Sequence, residues 1–191
     1  MNVHLYATDV SVFRLLKILP KQKEINVTAI VIPENRLNAI KVNELVENRE
    51  DIPVYVHKRS NWSPFELPDA DIAISWLYSQ IIPPNILETY HYGILNMHGG
   101  RIPQYRGGSV LQWAIINGEC EIGVTWHTMV EQVDAGPIWF ESFVPISNTD
   151  NALDLRTLLI EEGIRTFPLA LNACLDPEEY GKKPDLTKGK V

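Results

Sequence analysis

Three residues in the middle of the chain, Asn96, His98 and Asp134, have side chains suited to moving a small acyl group onto an amine. An asparagine amide donates a hydrogen bond to an oxyanion without titrating. A histidine takes a proton from an attacking amine near neutral pH. A carboxylate beside it raises the ring's affinity for that proton and orients it. Together they suit amine attack on an activated carbonyl through a tetrahedral oxyanion, with no nucleophilic Ser or Cys. Each also has a plainer reading. An Asn-x-His pair in a strand is often incidental, and Asp134, ahead of Ala135-Gly136-Pro137, is a good turn former.

The elements around these residues decide whether they meet. Tyr92–Met97 reads as a strand, so Asn96 and His98 point the same way. They fall at the carboxyl end of a predicted parallel strand, the rim where open α/β sheets bind ligands. Gly99-Gly100 then lets a ligand approach the backbone. Ser109 with Gln112 three residues on predicts a capped helix that stops at Gly118. Ile122–Met129 and Pro137–Pro145 read as strands, with Asp134 in the loop between them. Asp134 lies 36 residues after His98, a helix and a strand away, which is enough to bring it back to the same rim.

Earlier in the chain, NVHLYA is a strand, followed by a helix presenting Val12, Leu15, Leu16 and Leu19 before Pro20. Ile25–Ile32 is a β-branched run of the kind that a doubly buried parallel strand shows. A helix over 38–48 presents Val42, Leu45 and Val46. Pro53–Val56 and Asp71–Trp76 are further strands, and Lys58–Pro68 is a polar loop carrying Trp62 and Phe65. Pro83-Pro84 opens a short helix over Asn85–Tyr90. Thr149 or Asn148 caps a long helix with the stripe Leu153, Thr157, Ile160, Ile164, Phe167 and Leu171, kinked at Pro168. The alternation predicts an α/β, Rossmann-like, mostly parallel twisted sheet with helices on both faces. One domain over 1–176 and a loose polar tail over 177–191 are expected.

Composition narrows the function classes. The formal net charge is −7, with 17 Lys and Arg against 24 Asp and Glu, which disfavours a sequence-independent grip on nucleic acid. Cys120 and Cys174 form no CxxC pair and read as reduced, mostly buried thiols. No run is long and apolar enough for a transmembrane helix, and no signal peptide is visible, so a cytoplasmic protein is expected. The first strand–helix turn reads ATDVSV. It lacks the glycines that would let backbone amides approach a pyrophosphate, which disfavours NAD(P), FAD and ATP there. His4, His57 and His91 have no metal-ligand spacing, so no metal is expected. Trp113, Trp126 and Trp139 read as core aromatics, Trp76 as core or pocket lining, and His127, on one strand face with Thr125 and Met129, as structural or as a support behind the site, with catalysis the lesser alternative. Arg101 and Arg106 are suited to bidentate contact with a diphosphate, and Arg106, next to two glycines, equally to bracing the loop. Tyr105 is divided between substrate contact and packing.

The blocks NMHGGRIPQYRGG, WAIING, GVTWHTMV and VDAGPI stand in order between Gly93 and Ile146. They resemble the core of the formyltetrahydrofolate-dependent formyltransferases, a family that includes glycinamide ribonucleotide, methionyl-tRNA and sugar N-formyltransferases. The resemblance implies that fold, with N10-formyltetrahydrofolate as formyl donor. It implies that Asn96 and His98 hold the oxyanion, that His98 assists proton transfer, and that Asp134 tunes His98 and orders a proton-relaying water. It places the folate against Tyr78, Ser79 and Ile81, and against Met129, Val130, Glu131, Gln132 and Val133. Many members read His-x-Ser-Leu-Leu-Pro where this chain has His98-Gly99-Gly100-Arg101-Ile102-Pro103, a departure that bears on the acceptor pocket.

Among acceptors, ATDVSV lacks the Gly/Ser-rich phosphate loop of glycinamide ribonucleotide enzymes. The length and negative charge differ from the larger, more basic methionyl-tRNA enzymes. The sequence is most like the sugar N-formyltransferases, which implies a small amine acceptor, a nucleotide-linked amino sugar, with Arg101, Tyr105 and Arg106 as substrate contacts. The alternatives are transfer to methionyl-tRNA or glycinamide ribonucleotide, hydrolysis of formyltetrahydrofolate, and a non-catalytic folate-binding protein. A homodimer stays open, since related enzymes carry C-terminal elements for dimerisation.

Overall fold

The computed structural model describes residues 1–19, 25–36, 52–58, 67–176 and 178–189. The expected helix over 38–48 and most of the loop carrying Trp62 and Phe65 lie outside the described residues. The chain divides into two compact units, Met1–Asn96 and Met97–Val191. The strands are ordered β3-β2-β1-β4-β5-β6-β7 in one sheet.

The first unit is the parallel part. Strand β1 (Asn2–Ala7) pairs in parallel with β2 (Asn26–Pro33) and with β4 (Ile72–Trp76), and β3 (Val54–His57) pairs in parallel with β2. Every residue of β4 is buried, as are five of the six in β1. Their near-continuous apolar runs fit strands covered on two sides. Helix α1 (Val12–Ile18) buries Val12, Leu15 and Leu16, and Trp76 Nε1 donates to Ser11 Oγ at 2.8 Å. That bond lets the fully buried indole satisfy its donor within the core. Helix α2 (Pro84–Leu87) is only four residues long, with Pro83 as extended cap.

Strand β5 (Ile94–His98) carries the division between the units. In the second unit, helix α3 (Val110–Ile116) leads to β6 (Glu121–Thr128), which pairs antiparallel with β7 (Ile138–Pro145). Helix α4 (Ala152–Leu175) packs on β6 and β7. Trp126 meets Phe167 with ring centroids 5.5 Å apart and donates to Thr166 Oγ1 at 3.0 Å. Among the described residues, no helix is long and apolar enough to cross a membrane.

Several local expectations are corrected. Ser109 does not cap α3 with its side chain. It sits in the left-handed region at φ 58°, after Gly107 at φ 83°. The cap of α4 is Asn151, whose side chain accepts from the Leu153 and Asp154 amides while Asp154 accepts from the Asn151 amide. Thr149 and Asn148 lose that role because Ser147 and Asp150 close their own turn. The buried face of α4 runs through Leu155, Leu159, Gly163, Thr166, Phe167, Ala170, Leu171 and Cys174. Only Phe167 and Leu171 of the expected stripe lie on it; Leu153 is 69% exposed. Small residues at Gly163 and Ala170 allow close packing, and Thr166 bonds Trp126, so this face outcompetes the more apolar stripe. The helix continues past Pro168 to Leu175. Cys120 is exposed, and Trp113 is 54% exposed, neither joining the core. The segment after 177 is docked, not loose: Lys182 exchanges two backbone hydrogen bonds with Ile138, at 2.9 and 2.8 Å.

Candidate active site

Asn96 and His98 lie two residues apart on β5, so their side chains leave the same face of the strand. His98 is buried at the strand's end. Its Nδ1 lies 3.4 Å from Asp134 Oδ2, and its Nε2 makes a 2.5 Å hydrogen bond with the Tyr105 carbonyl. A carbonyl only accepts, so Nε2 carries the proton and the titrating nitrogen is Nδ1, facing the carboxylate.

Asp134 stands in the loop between β6 and β7. Its backbone adopts φ 46°, a conformation that Asp tolerates better than most residues. Two residues on, Gly136 passes Thr128 so closely that a Cβ would lie 1.8 Å from the Thr128 carbonyl oxygen. Only glycine fits there, and this close passage shapes the turn that aims Asp134. The carboxylate has three partners in its own unit. Oδ2 accepts from the Gly107 amide at 2.8 Å and faces His98; Oδ1 lies 3.3 Å from His127 Nε2. His127 Nδ1 in turn lies 3.0 Å from the Thr128 carbonyl oxygen.

These contacts set the titration. Burial pushes the Asp134 carboxyl up, but the bond from His127, the nearby His98 and the Gly107 amide together outweigh it and bring it down to about 2. Burial lowers the His98 pKa, with Asp134 and the Tyr105 carbonyl opposing and His127 adding to the fall. At neutral pH His98 is therefore an uncharged base whose open lone pair faces a carboxylate that stays ionised. A proton arriving at Nδ1 is stabilised by that charge.

The loop after β5 is held by its own bonds. Thr125 Oγ1 donates to the Gly100 carbonyl at 2.7 Å. A Cβ on Gly100 would come within 2.8 Å of the Tyr105 carbonyl oxygen and 3.0 Å of His98 Nε2. Arg101 makes a 2.6 Å ion pair with Glu121 and lies over the Phe143 ring at 4.3 Å, so its guanidinium braces the loop against β6 and β7. Tyr105 donates its hydroxyl to Glu119 at 2.5 Å and accepts from Asn117 at 2.9 Å. Arg106 is buried.

The residues expected near folate are described within their own units. In the first, the Tyr78 hydroxyl is bonded to His57 Nδ1 at 2.8 Å, the Ser79 amide donates to Thr8 Oγ1 at 2.9 Å, and Ile81 is exposed. In the second, Met129–Val133 forms neither helix nor strand, and Val130 and Val133 are exposed. The sequence reading gave His127 a supporting place, and the structure sets its Nε2 3.3 Å from Asp134 Oδ1; the Gly107 amide carried no signal in the sequence. The only available signal for His127 was its place on the strand that leads into the Asp134 loop.

Residues 21–171 match the family model described as "Formyl transferase". A methionyl-tRNA formyltransferase from Trichodesmium erythraeum is 31% identical over 175 residues, covering 85% of this chain and 52% of that protein. The chain thus spans about half the length of that curated relative. Among solved structures, glycinamide ribonucleotide transformylase 1 from Symbiobacterium toebii superposes with a TM-score of 0.78 at 18% identity, covering 97% of this chain and 94% of that one. A sugar N-formyltransferase from Shewanella sp. FDAARGOS_354 gives 0.77 at 19%, covering 97% and 74%. These likenesses establish the fold, a mostly parallel seven-stranded sheet with helices, and the family match extends across the buried His98–Asp134 pair. The chain belongs to the formyl transferase family.

Proposed function

We propose that this protein transfers a formyl group from N10-formyltetrahydrofolate to the primary amine of a small acceptor, a nucleotide-linked amino sugar. The observation that carries the reading is the buried His98–Asp134 pair, with the carboxylate held by the Gly107 amide and His127. The folate supplies the activated formyl group. Asn96 donates to the formyl oxygen as charge develops on it. His98 takes the amine proton at Nδ1, Asp134 stabilises the resulting imidazolium, and that proton passes to folate N10 as the N10–formyl bond breaks and tetrahydrofolate leaves. Tyr78, Ser79, Ile81 and Met129–Val133 hold the folate. Arg101, Tyr105 and Arg106 face the acceptor side, with Arg101 acting through its brace on the loop. The reaction belongs to the cytoplasm and uses no metal.

The sugar acceptor is supported by the HGGRIPQYRG and HTMV…DAG blocks and by a fold shared with a sugar N-formyltransferase. A second reading, transfer to methionyl-tRNA, is favoured by the 31% identical relative. Release of tetrahydrofolate against nucleotide-linked amino sugars, charged methionyl-tRNA, glycinamide ribonucleotide and a no-amine control separates them. Stimulation by an amino sugar, lost in His98→Ala, supports the first reading. Stimulation by charged tRNA alone replaces it with the second, and release without amine indicates a hydrolase. Folate binding with no release under any condition would overturn the transferase reading in favour of a folate-binding protein.

A further inference from the structure

The second unit holds a groove of about 670 Å³, whose walls include Arg106, Tyr105, Trp113, Asn117, Glu119 and Lys188. Arg106 is only 8% exposed, yet its buried Nε and Nη1 have no hydrogen-bond partner among the described residues. Buried guanidinium donors without partners are costly, because they have lost water and gained no hydrogen bond in return. The other charges of the groove are engaged. Glu119 accepts from the Tyr105 hydroxyl, and Lys188 pairs with Asp185 at 3.2 Å. Trp113 exposes half of its surface on the same groove, a flat apolar face of the kind on which heterocycles stack.

The chain on either side of Arg106 is tied to the candidate catalytic pair. The carbonyl of Tyr105 accepts from His98, and the amide of Gly107 donates to Asp134. A ligand that draws on Arg106 therefore pulls on the one-residue link between the two bonds that hold His98 and Asp134.

Resting on the formyl-transfer reading, we propose that this groove binds the phosphate-bearing part of the acceptor. Arg106 is the phosphate ligand, through the planar donor fork that suits phosphate oxygens. Trp113 is the stacking face for an attached base. Arg106 is also a positioning residue: phosphate engagement sets the backbone of 105–107 and, through it, the geometry of His98 against Asp134. An acceptor stripped of its phosphate then loses turnover as well as affinity.

The test measures binding of uridine diphosphate, uridine and acetate to the full chain by calorimetry, with no folate present. The expected result is diphosphate binding at least tenfold tighter than that of uridine, and none of acetate. Arg106→Gln removes the tenfold difference, and Arg106→Lys restores part of it as a point charge. Trp113→Ala, on an exposed side chain that the fold tolerates, weakens uridine and diphosphate alike. The coupling is read from the imidazole nitrogen resonances of His98, whose pH midpoint moves on adding diphosphate in the wild type but not in folded Arg106→Gln. Equal binding of diphosphate and uridine, or tenfold tighter diphosphate binding that survives Arg106→Gln, would overturn the phosphate site. An unmoved His98 midpoint would overturn the positioning role. Diphosphate binding that needs Arg106, with no tetrahydrofolate release from any acceptor, would sink the transferase reading and leave the anion site standing. Transfer that proceeds unchanged in Arg106→Gln would do the reverse.

Discussion

The two units each bury a histidine against hydroxyl or carbonyl partners, and the comparison shows what makes one of them a candidate catalyst. His4, on β1, has Nδ1 bonded to the Tyr90 hydroxyl at 2.9 Å, and Tyr90 is bonded to Tyr6 at 2.7 Å. Burial lowers the His4 pKa to about 4, against smaller raising contributions from the Pro68 carbonyl and Asp69. Burial likewise pushes Tyr6 up to about 12. This cluster holds its protons firmly: the phenols stay neutral and so does the imidazole. His98 is just as buried, but a carboxylate lies 3.4 Å from its titrating nitrogen and a loop carbonyl holds the other. Its protonated form has somewhere to place its charge. Burial alone makes a histidine inert, and burial with an ionised partner makes a base.

Substitutions test that distinction. His98→Ala removes the proton acceptor and is expected to cost about 10³-fold or more in tetrahydrofolate release with saturating acceptor, within the range of general-base catalysis. Asp134→Asn keeps the shape but not the charge. A loss of roughly 10²-fold in kcat is expected, and an Asp134→Asn enzyme as fast as wild type would break the comparison. Gly100→Ala places a methyl against Val110, the Tyr105 carbonyl and His98. It is expected to lower activity about tenfold and stability by about 1–3 kcal/mol, measured by turnover and by urea denaturation. His127→Gln keeps a donor beside Asp134 and is expected to lower kcat only a few-fold, with little change in KM.

The smallest effect on activity is expected at His4→Gln, which leaves turnover unchanged and alters acid stability instead. The His4 pKa is lowered on folding, so between about 6.5 and 4 the unfolded chain binds a proton that the folded chain does not. Stability is full above about 6.5 and falls as pH drops toward 4, by at most about 3 kcal/mol. Urea midpoints from pH 7 to 4 are expected to fall less steeply in the variant. An activity loss there would mean that the tyrosine cluster of the first unit has a part in the chemistry. Asp134 adds a second acid slope of the same sign at lower pH: its stabilisation, present above about 4, is lost as pH falls through about 2.

Strands were legible because their signal is local. β1, β2, β4 and β6 are apolar or alternating runs that few other structures accommodate, and each lies within a residue or two of its expected place. The Asn96–His98 spacing was legible for the same reason, since alternation along one strand sets a common face. Asp134 was legible through its turn residues, Gly136 and Pro137, and through the family blocks around it. The face of α4 was not legible. Two stripes of similar spacing compete on that helix, and the choice rests on whether Thr166 can reach Trp126 and how closely Gly163 and Ala170 can pack.

By itself, then, the amino-acid order determined the strands, the spacing of Asn96, His98 and Asp134, and membership of the formyl transferase family. These depend on residue type and short-range spacing. The tertiary structure alone decided that His127 and the Gly107 amide brace Asp134, that Arg101 is spent on Glu121 and Phe143, and that Arg106 is buried with donors to spare. Each of these depends on a distance between segments brought together by folding. A side chain's charge is written in the chain, but what neutralises it depends on which segments folding sets beside it.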